Sequence, residues 1–217
     1  METKIKICDI RDVATARFCA ENGVDFIGLH QIYAPISEDK VFLFNKIKAV
    51  ADSLKLVLVT RESNINNLLK LSLAFEFDYI QMHFPIGISK IKEFKTLLKN
   101  NNCKSGLIAV ISANSIDNVN ISVLYKEVDF LLFDTSYHGG TGICSSNEVM
   151  KKIIEKAVGT KFFFAGGLNS ENVAKKIKLL NPFAVDVQSG VETIANGQKH
   201  KDLVKILSFV KEVKTLI

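Results

Sequence analysis

Short, almost wholly apolar segments alternate with longer amphipathic ones eight times along the 217-residue chain, and this rhythm is what most restricts its fold. The strand candidates are Lys4–Cys8, Phe26–His30, Leu54–Thr60, Tyr79–His83, Gly106–Ile111, Phe130–Asp134, Lys161–Ala165 and Ala184–Gln188. Segments so uniformly apolar suit strands covered on both faces, which is the condition of a parallel sheet wrapped by helices. The spacing predicts helices over Asp12–Asn22, Glu38–Ser53, Asn64–Phe75, Ser89–Lys99, Ser115–Tyr125, Asn147–Ala157, Ser170–Leu180 and His200–Lys214. Asp12 is an N-cap type residue, Gly23 follows the first helix, and Pro182 bars helical continuation into the last strand. Eight β-then-α units without a long linker predict one domain over residues 1–217, a parallel sheet closed into a (β/α)8 barrel. An open doubly wound sheet is the competing architecture.

Composition narrows the function classes. Hydrophobic residues make up 47% and charged residues 24%, as in an ordinary globular protein. No apolar run approaches bilayer length, and the opening METKIKICDI lacks the apolar region of a signal peptide, so a cytoplasmic protein without membrane contact is expected. The net charge of +5 is spread over lysines along the expected helices, which points to solvated outer faces and away from nucleic acid. Cys8, Cys19, Cys103 and Cys144 form no C-x-x-C pair, and the four His residues are scattered, so neither a structural metal nor a disulfide framework is expected.

In a barrel of this kind the chemistry lies where strands end and βα-loops begin. The seventh candidate strand runs into Gly166-Gly167-Leu168-Asn169, and the eighth into Gln188-Ser189-Gly190. Glycine lets main chain approach an anion closely, and free amides there can donate to phosphate oxygens. Two such turns on the last two strands predict a phosphate site at Gly166, Gly167, Ser189 and Gly190. The first strand ends at Cys8 and the sixth at Asp134. A thiol and a carboxyl on nearly opposite sides of the mouth can divide proton transfer between a base and an acid. Gln81 and His83 share one strand face, and either line the mouth or pair with each other. The stretch His138-Gly139-Gly140-Thr141-Gly142 reads as a mobile or ligand-hugging loop.

These motifs resemble those of the phosphoribosylanthranilate isomerase family. Lys6-Ile7-Cys8 resembles K-I-C, Gly23–Gly28 resembles G-A-D-x-x-G, and Gln81-Met82-His83 resembles Q-L-H. Leu132-Phe133-Asp134 with Gly139–Gly142 resembles L-L-D…G-G-[ST]-G. Ala165–Val173 resembles S-G-G-L-N-P-E-N-V, and Val185–Glu192 resembles V-D-V-S-S-G-V-E. The resemblance runs in order over almost the whole chain. It implies a TIM barrel of the ribulose-phosphate-binding type, a monomer or homodimer. The activity it implies is an Amadori rearrangement of N-(5-phosphoribosyl)anthranilate in tryptophan biosynthesis, with a phosphorylated, sugar-like small molecule as ligand and no cofactor. By that resemblance Cys8 is the general base and Asp134 the general acid, and the pocket includes Asp9, Gln81, His83, Gly140 and Asp186.

The chain also departs from the family's pattern. Asp9 stands where the family has glycine; a carboxylate beside a thiol is expected to raise the thiol's pKa, and the alternative roles for Asp9 are to contribute a base or to bind a hydroxyl. The family's arginine in a Pro-x-S-x-R segment pairs with the anthranilate carboxylate. Here the corresponding stretch, Pro35-Ile36-Ser37-Glu38-Asp39-Lys40, has none, and Lys40 or Arg61 would have to stand in. Two other functions are therefore open: isomerisation or epimerisation of a different phosphorylated sugar, and phospholigand binding without catalysis.

Overall fold

The computed structural model describes residues 2–75, 77–134 and 147–216. Gly140 and the rest of the glycine-rich loop after the sixth strand lie outside the described residues. Eight strands form the barrel: β1 (Lys4–Ile7), β2 (Phe26–His30), β3 (Lys55–Thr60), β4 (Tyr79–Met82), β5 (Gly106–Ser112), β6 (Phe130–Asp134), β7 (Phe162–Phe164) and β8 (Ala184–Val187). They pair in parallel in chain order, and β1 closes the ring by pairing with both β2 and β8. The helices around it are α1 (Val13–Glu21), α2 (Glu38–Lys48), α3 (Ile65–Ala74), α4 (Ile88–Asn100), α5 (Ile121–Tyr125), α6 (Asn147–Lys156), α7 (Val173–Leu180) and α8 (Leu203–Lys214). The closed (β/α)8 barrel is the architecture expected from the alternation, and the open sheet is ruled out.

Strands β2 and β6 have the expected bounds, and the others differ by one or two residues. The helices needed more correction. The side chain of Asp12 caps α1 by accepting from Thr15 N at 2.7 Å, so the helix starts at Val13. Helix α2 stops at Lys48, five residues before the expected Ser53. The expected Ser115–Tyr125 helix is a 3-10 turn, Ala113–Asn118, followed by the single short helix α5, which Asn120 caps. Helix α7 begins at Val173 because Asn169 and Asn172 fold the preceding residues into a turn through their own side chains.

The largest correction is at His200, the expected start of the last helix. Glu192–Ala195 (β9) and Gln198–Lys201 (β10) form an antiparallel hairpin, and α8 starts only after the cap at Asp202. Asn196 and Gly197 turn the hairpin with φ of 51° and 73°. That Asn-Gly pair with both residues left-handed is the preferred two-residue hairpin connection.

Side-chain alternation divides the core. One face of each strand packs outward on the helices, in a layer that includes Ile5, Ile27, Leu58, Ile80, Leu131 and Val185. The other face fills the barrel with Phe26, Val57, Ile108, Phe130, Leu132 and Phe163. At the N-terminal end Phe26, Tyr79, Phe130, Phe163 and Phe183 pack ring on ring, with Phe130 stacked on Phe183 at 4.7 Å. Towards the C-terminal end the inward positions turn polar, with Lys6, Gln81, His83, Asp134 and Asp186 all buried.

Candidate active site

A cavity opens at that polar end, and its walls include Cys8, His30, Arg61, Gln81, His83, Asp134, Asp186, Gly166, Gly167 and Ser189. The structure thus brings together eight of the sequence-predicted positions: Cys8, Gln81, His83, Asp134, Gly166, Gly167, Asp186 and Ser189. Asp9 and Gly190 are not among its lining residues. His30 was not among the site residues read from the sequence.

The floor is built from β1, β2 and β8. Lys6 and Asp186 are partners in the β1–β8 register, so their side chains leave the sheet together. Lys6 Nζ lies 2.7 Å from Asp186 Oδ2, with side-chain exposures of 0% and 6%. Burial pulls the Lys6 ammonium down, but Asp186 and Cys8 outweigh it and hold the pKa above the ordinary lysine value. Asp186 Oδ1 is buried with no hydrogen-bond partner among the described residues. Gly28 on β2 provides the space: a Cβ there would lie 2.8 Å from Cys8 Sγ and 3.2 Å from Lys6 Nζ.

Cys8 Sγ lies 3.3 Å from His30 Nε2, and His30 Nδ1 lies 3.5 Å from Asp9 Oδ1. Burial pushes the Cys8 thiol up to about 12, against the pull of the nearby Lys6 charge. The cause is therefore desolvation and not the adjacent carboxylate. Asp9 turns aside, pairing with Arg11 and accepting from Gln188 Nε2 at 3.3 Å. Burial alone would raise Asp9, but Arg11 and His30 hold its carboxyl below the usual range. His30 is pushed down to about 4 by burial, although Asp9 opposes this. Asp9 has φ of 63°, in the left-handed region that glycine occupies without steric cost.

Across the mouth, His83 Nε2 stands 3.9 Å from Asp134 Oδ2, and Gln81 Nε2 stands 3.2 Å from His83 Nδ1. Gln81 and His83 therefore both pair with each other and line the mouth. The third wall is the glycine turn. Gly166 and Gly167 have φ of 96° and 65°, and Asn172 Nδ2 donates to Gly167 O at 2.9 Å, fixing the turn's orientation. Gly190 brings the loop after β8 against it, since a Cβ at Gly190 would lie 1.8 Å from Leu168 O. That close approach is its structural reason for being glycine.

The hairpin braces the floor from outside. Lys201 Nζ donates to Gln188 O at 3.0 Å and pairs with Glu192 at 2.9 Å, while Arg11 reaches from Asp9 to the carbonyl of Lys199. On the β2 side, Lys40 Nζ donates to His30 O at 2.8 Å. Of the two cations expected to replace the missing arginine, only Arg61 lines the cavity. No described helix is long and apolar enough to cross a membrane.

Comparison with known proteins agrees with this geometry. Residues 5–212 match the family described as N-(5'phosphoribosyl)anthranilate (PRA) isomerase. An N-(5'-phosphoribosyl)anthranilate isomerase of Aquifex aeolicus is 32% identical over 219 residues, covering 98% of each chain. One from Leptospira interrogans serogroup Icterohaemorrhagiae serovar copenhageni is 30% identical over 220 residues, covering 99% of this chain and 96% of the relative. Among solved structures, a phosphoribosyl anthranilate isomerase in complex with reduced 1-(o-carboxyphenylamino)-1-deoxyribulose 5-phosphate superposes with a TM-score of 0.73. It is 23% identical, and the match covers 98% of this chain and 99% of that one, showing the shared fold. With its barrel closed in the expected order and a family match that leaves out only the ends, this chain belongs to the N-(5'-phosphoribosyl)anthranilate isomerase family.

Proposed function

We propose that the protein isomerises N-(5'-phosphoribosyl)anthranilate to the corresponding 1-amino-1-deoxyketose phosphate. The observation that carries this reading is the placement of Cys8 and Asp134 on different walls of one cavity whose third wall is the Gly166-Gly167 turn. The substrate phosphate sits at the turn of Gly166 and Gly167 and at Ser189, with Gly190 permitting the two loops to meet. Main-chain amides there supply donors without side-chain bulk.

Asp134 donates a proton to the ring oxygen as the C1–O bond breaks, and the nitrogen lone pair forms a C1=N iminium. Cys8 takes the C2 proton. The C2–H electron pair becomes a C1=C2 bond, and the iminium π pair returns to nitrogen. Asp186 Oδ1, buried and unpartnered among the described residues, supports a contact to a sugar hydroxyl. Arg61, on the cavity wall beyond β3, takes the anthranilate carboxylate. Lys40 is engaged instead with the His30 carbonyl.

The test is turnover of phosphoribosylanthranilate by the purified protein, together with rescue of a bacterium lacking this isomerase. Turnover with rescue is the expected result; failure of both overturns the assignment.

A further inference from the structure

The isomerase reading asks Cys8 to accept a proton, yet burial pushes its thiol up to about 12, so at neutral pH the sulfur already carries one. A protonated thiol takes another proton only if its own leaves in the same event. The groups around Sγ decide where that proton can go. Lys6 hydrogen-bonds the sulfur but is held as an ammonium, and Asp186 pairs with Lys6 through Oδ2 and, under the isomerase reading, meets a sugar hydroxyl through Oδ1. Lys201 is engaged with Gln188 O and Glu192, and Arg11 with Asp9. Lys40 is spent on the His30 carbonyl. His30 is an uncharged group in reach: burial pushes its pKa down to about 4, which keeps the ring neutral at pH 7, and Nε2 lies 3.3 Å from Sγ.

We propose that Asp9, His30 and Cys8 form a proton relay, in which His30 Nε2 accepts the thiol proton as Cys8 Sγ takes up the C2 proton of the substrate. Cys8 is the catalytic residue, and His30 and Asp9 are positioning residues that act through it. Asp9 Oδ1, 3.5 Å from Nδ1, selects the tautomer with the proton on Nδ1 and leaves the Nε2 lone pair facing sulfur. As the imidazolium forms, the same carboxylate is its counter-charge. Arg11 and Gln188 hold that carboxylate in place.

The relay returns to its starting state without an added reagent. The S–H bond breaks as the N–H bond forms, and sulfur gains the C2 proton. That proton, or the one on Nε2 passing back through sulfur, is delivered to C1 of the enamine. The C2 hydroxyl proton then returns to Asp134, and the C2–O bond becomes a carbonyl.

This inference rests on the isomerase reading for its substrate, so its test includes a readout that needs none. Alkylation of Cys8 by iodoacetamide, followed site by site by mass spectrometry from pH 5 to pH 11, reports how readily the thiol loses its proton. The comparison is between the full-length protein and its His30→Gln, Asp9→Asn and Asp9→Gly variants. The relay predicts that His30→Gln slows Cys8 alkylation at pH 7 by roughly 10²-fold, with the Asp9 variants intermediate. The gap closes towards pH 11, where hydroxide ionises the thiol directly. In turnover, kcat falls in all three variants while KM is unchanged.

Asp9→Gly keeps the test falsifiable, since glycine accepts the local backbone geometry and a folding defect is not expected there. Unchanged alkylation rates and pH profiles in His30→Gln and Asp9→Gly would overturn the relay. If alkylation responds as expected while the parent protein does not turn over phosphoribosylanthranilate, the relay stands and the substrate assignment falls.

Discussion

Lys6 on β1 and Asp186 on β8 meet 2.7 Å apart inside the barrel, at positions the strand register sets side by side. An ion pair this deeply buried is maintained by mutual compensation, and removing one partner strands the other charge. Asp186→Asn and Lys6→Met are each expected to destabilise the protein by about 3–5 kcal/mol. The double replacement Lys6→Met with Asp186→Leu should cost less than the sum of the single changes. Urea unfolding of the three variants measures this.

Gly28 sits where a side chain would compete with both Cys8 and Lys6. Gly28→Ala places a methyl carbon 2.8 Å from Cys8 Sγ and 3.2 Å from both Cys8 Cα and Lys6 Nζ, so Cys8 must shift to admit it. The expected outcome is a loss of about 1–3 kcal/mol in stability, with a fall in kcat as Sγ is displaced. Thermal unfolding and steady-state kinetics on the same sample report both.

Under the proposed mechanism Cys8→Ser and Asp134→Asn each remove one proton-transfer group. Each is expected to lower kcat by roughly 10²–10⁴-fold, with phosphate binding preserved. Titration with a product analogue checks that the pocket still fills, and near-parental turnover in either variant would refute that residue's role.

Arg61→Met tests the aglycone end. Loss of a charge-assisted contact of about 1.5–3 kcal/mol corresponds to a rise in KM of roughly 10–100-fold for phosphoribosylanthranilate. Inhibition by inorganic phosphate should be unaffected, because that end of the cavity is separate. An unchanged KM would place the substrate carboxylate elsewhere.

The pH dependence of stability follows from His30. Its folded pKa, about 4, lies below the ordinary imidazole value of 6.5, so between these two values the unfolded chain binds more protons. Stability is therefore intact above about pH 6.5 and is lost as pH falls towards 4, by at most about 3 kcal/mol from this group. Denaturation midpoints measured across that range should flatten in His30→Gln.

Much of this was legible in the sequence because it depends on local pattern. The bounds of β2 and β6 follow from apolar runs that end in a polar residue, His30 and Asp134. Cys8, Gln81, His83, Gly166, Gly167 and Ser189 follow from one rule, that strand ends face the mouth, whereas Asp186 came only from the family resemblance. Other parts depend on tertiary context. Helix α2 stops at Lys48 although the sequence stays compatible with a helix, and the chain must instead descend to β3. The hairpin has a local signal, Asn196-Gly197, which the sequence analysis left unused.

His30 was missed because its partners stand 22 and 21 positions earlier in the chain and are joined to it only through the β1–β2 pairing. The available clue was alternation: Phe26, Gly28 and His30 all point inward, and the last of them is at the mouth. Asp9 was recognised as a departure from the family but was given an electrostatic effect on Cys8. That reading assumed adjacency in sequence meant adjacency of charges, whereas the left-handed backbone turns the carboxylate towards Arg11 and His30.

The aromatic packing of Phe26, Tyr79, Phe130, Phe163 and Phe183 stoppers the far end of the barrel, so the reaction chamber is a cup with a single rim. Once a substrate is seated in that rim, hydrogen taken from it has no back door to bulk water. A deuterium label carried in at C2 should therefore be handed on to the product in part, and not be washed out during turnover.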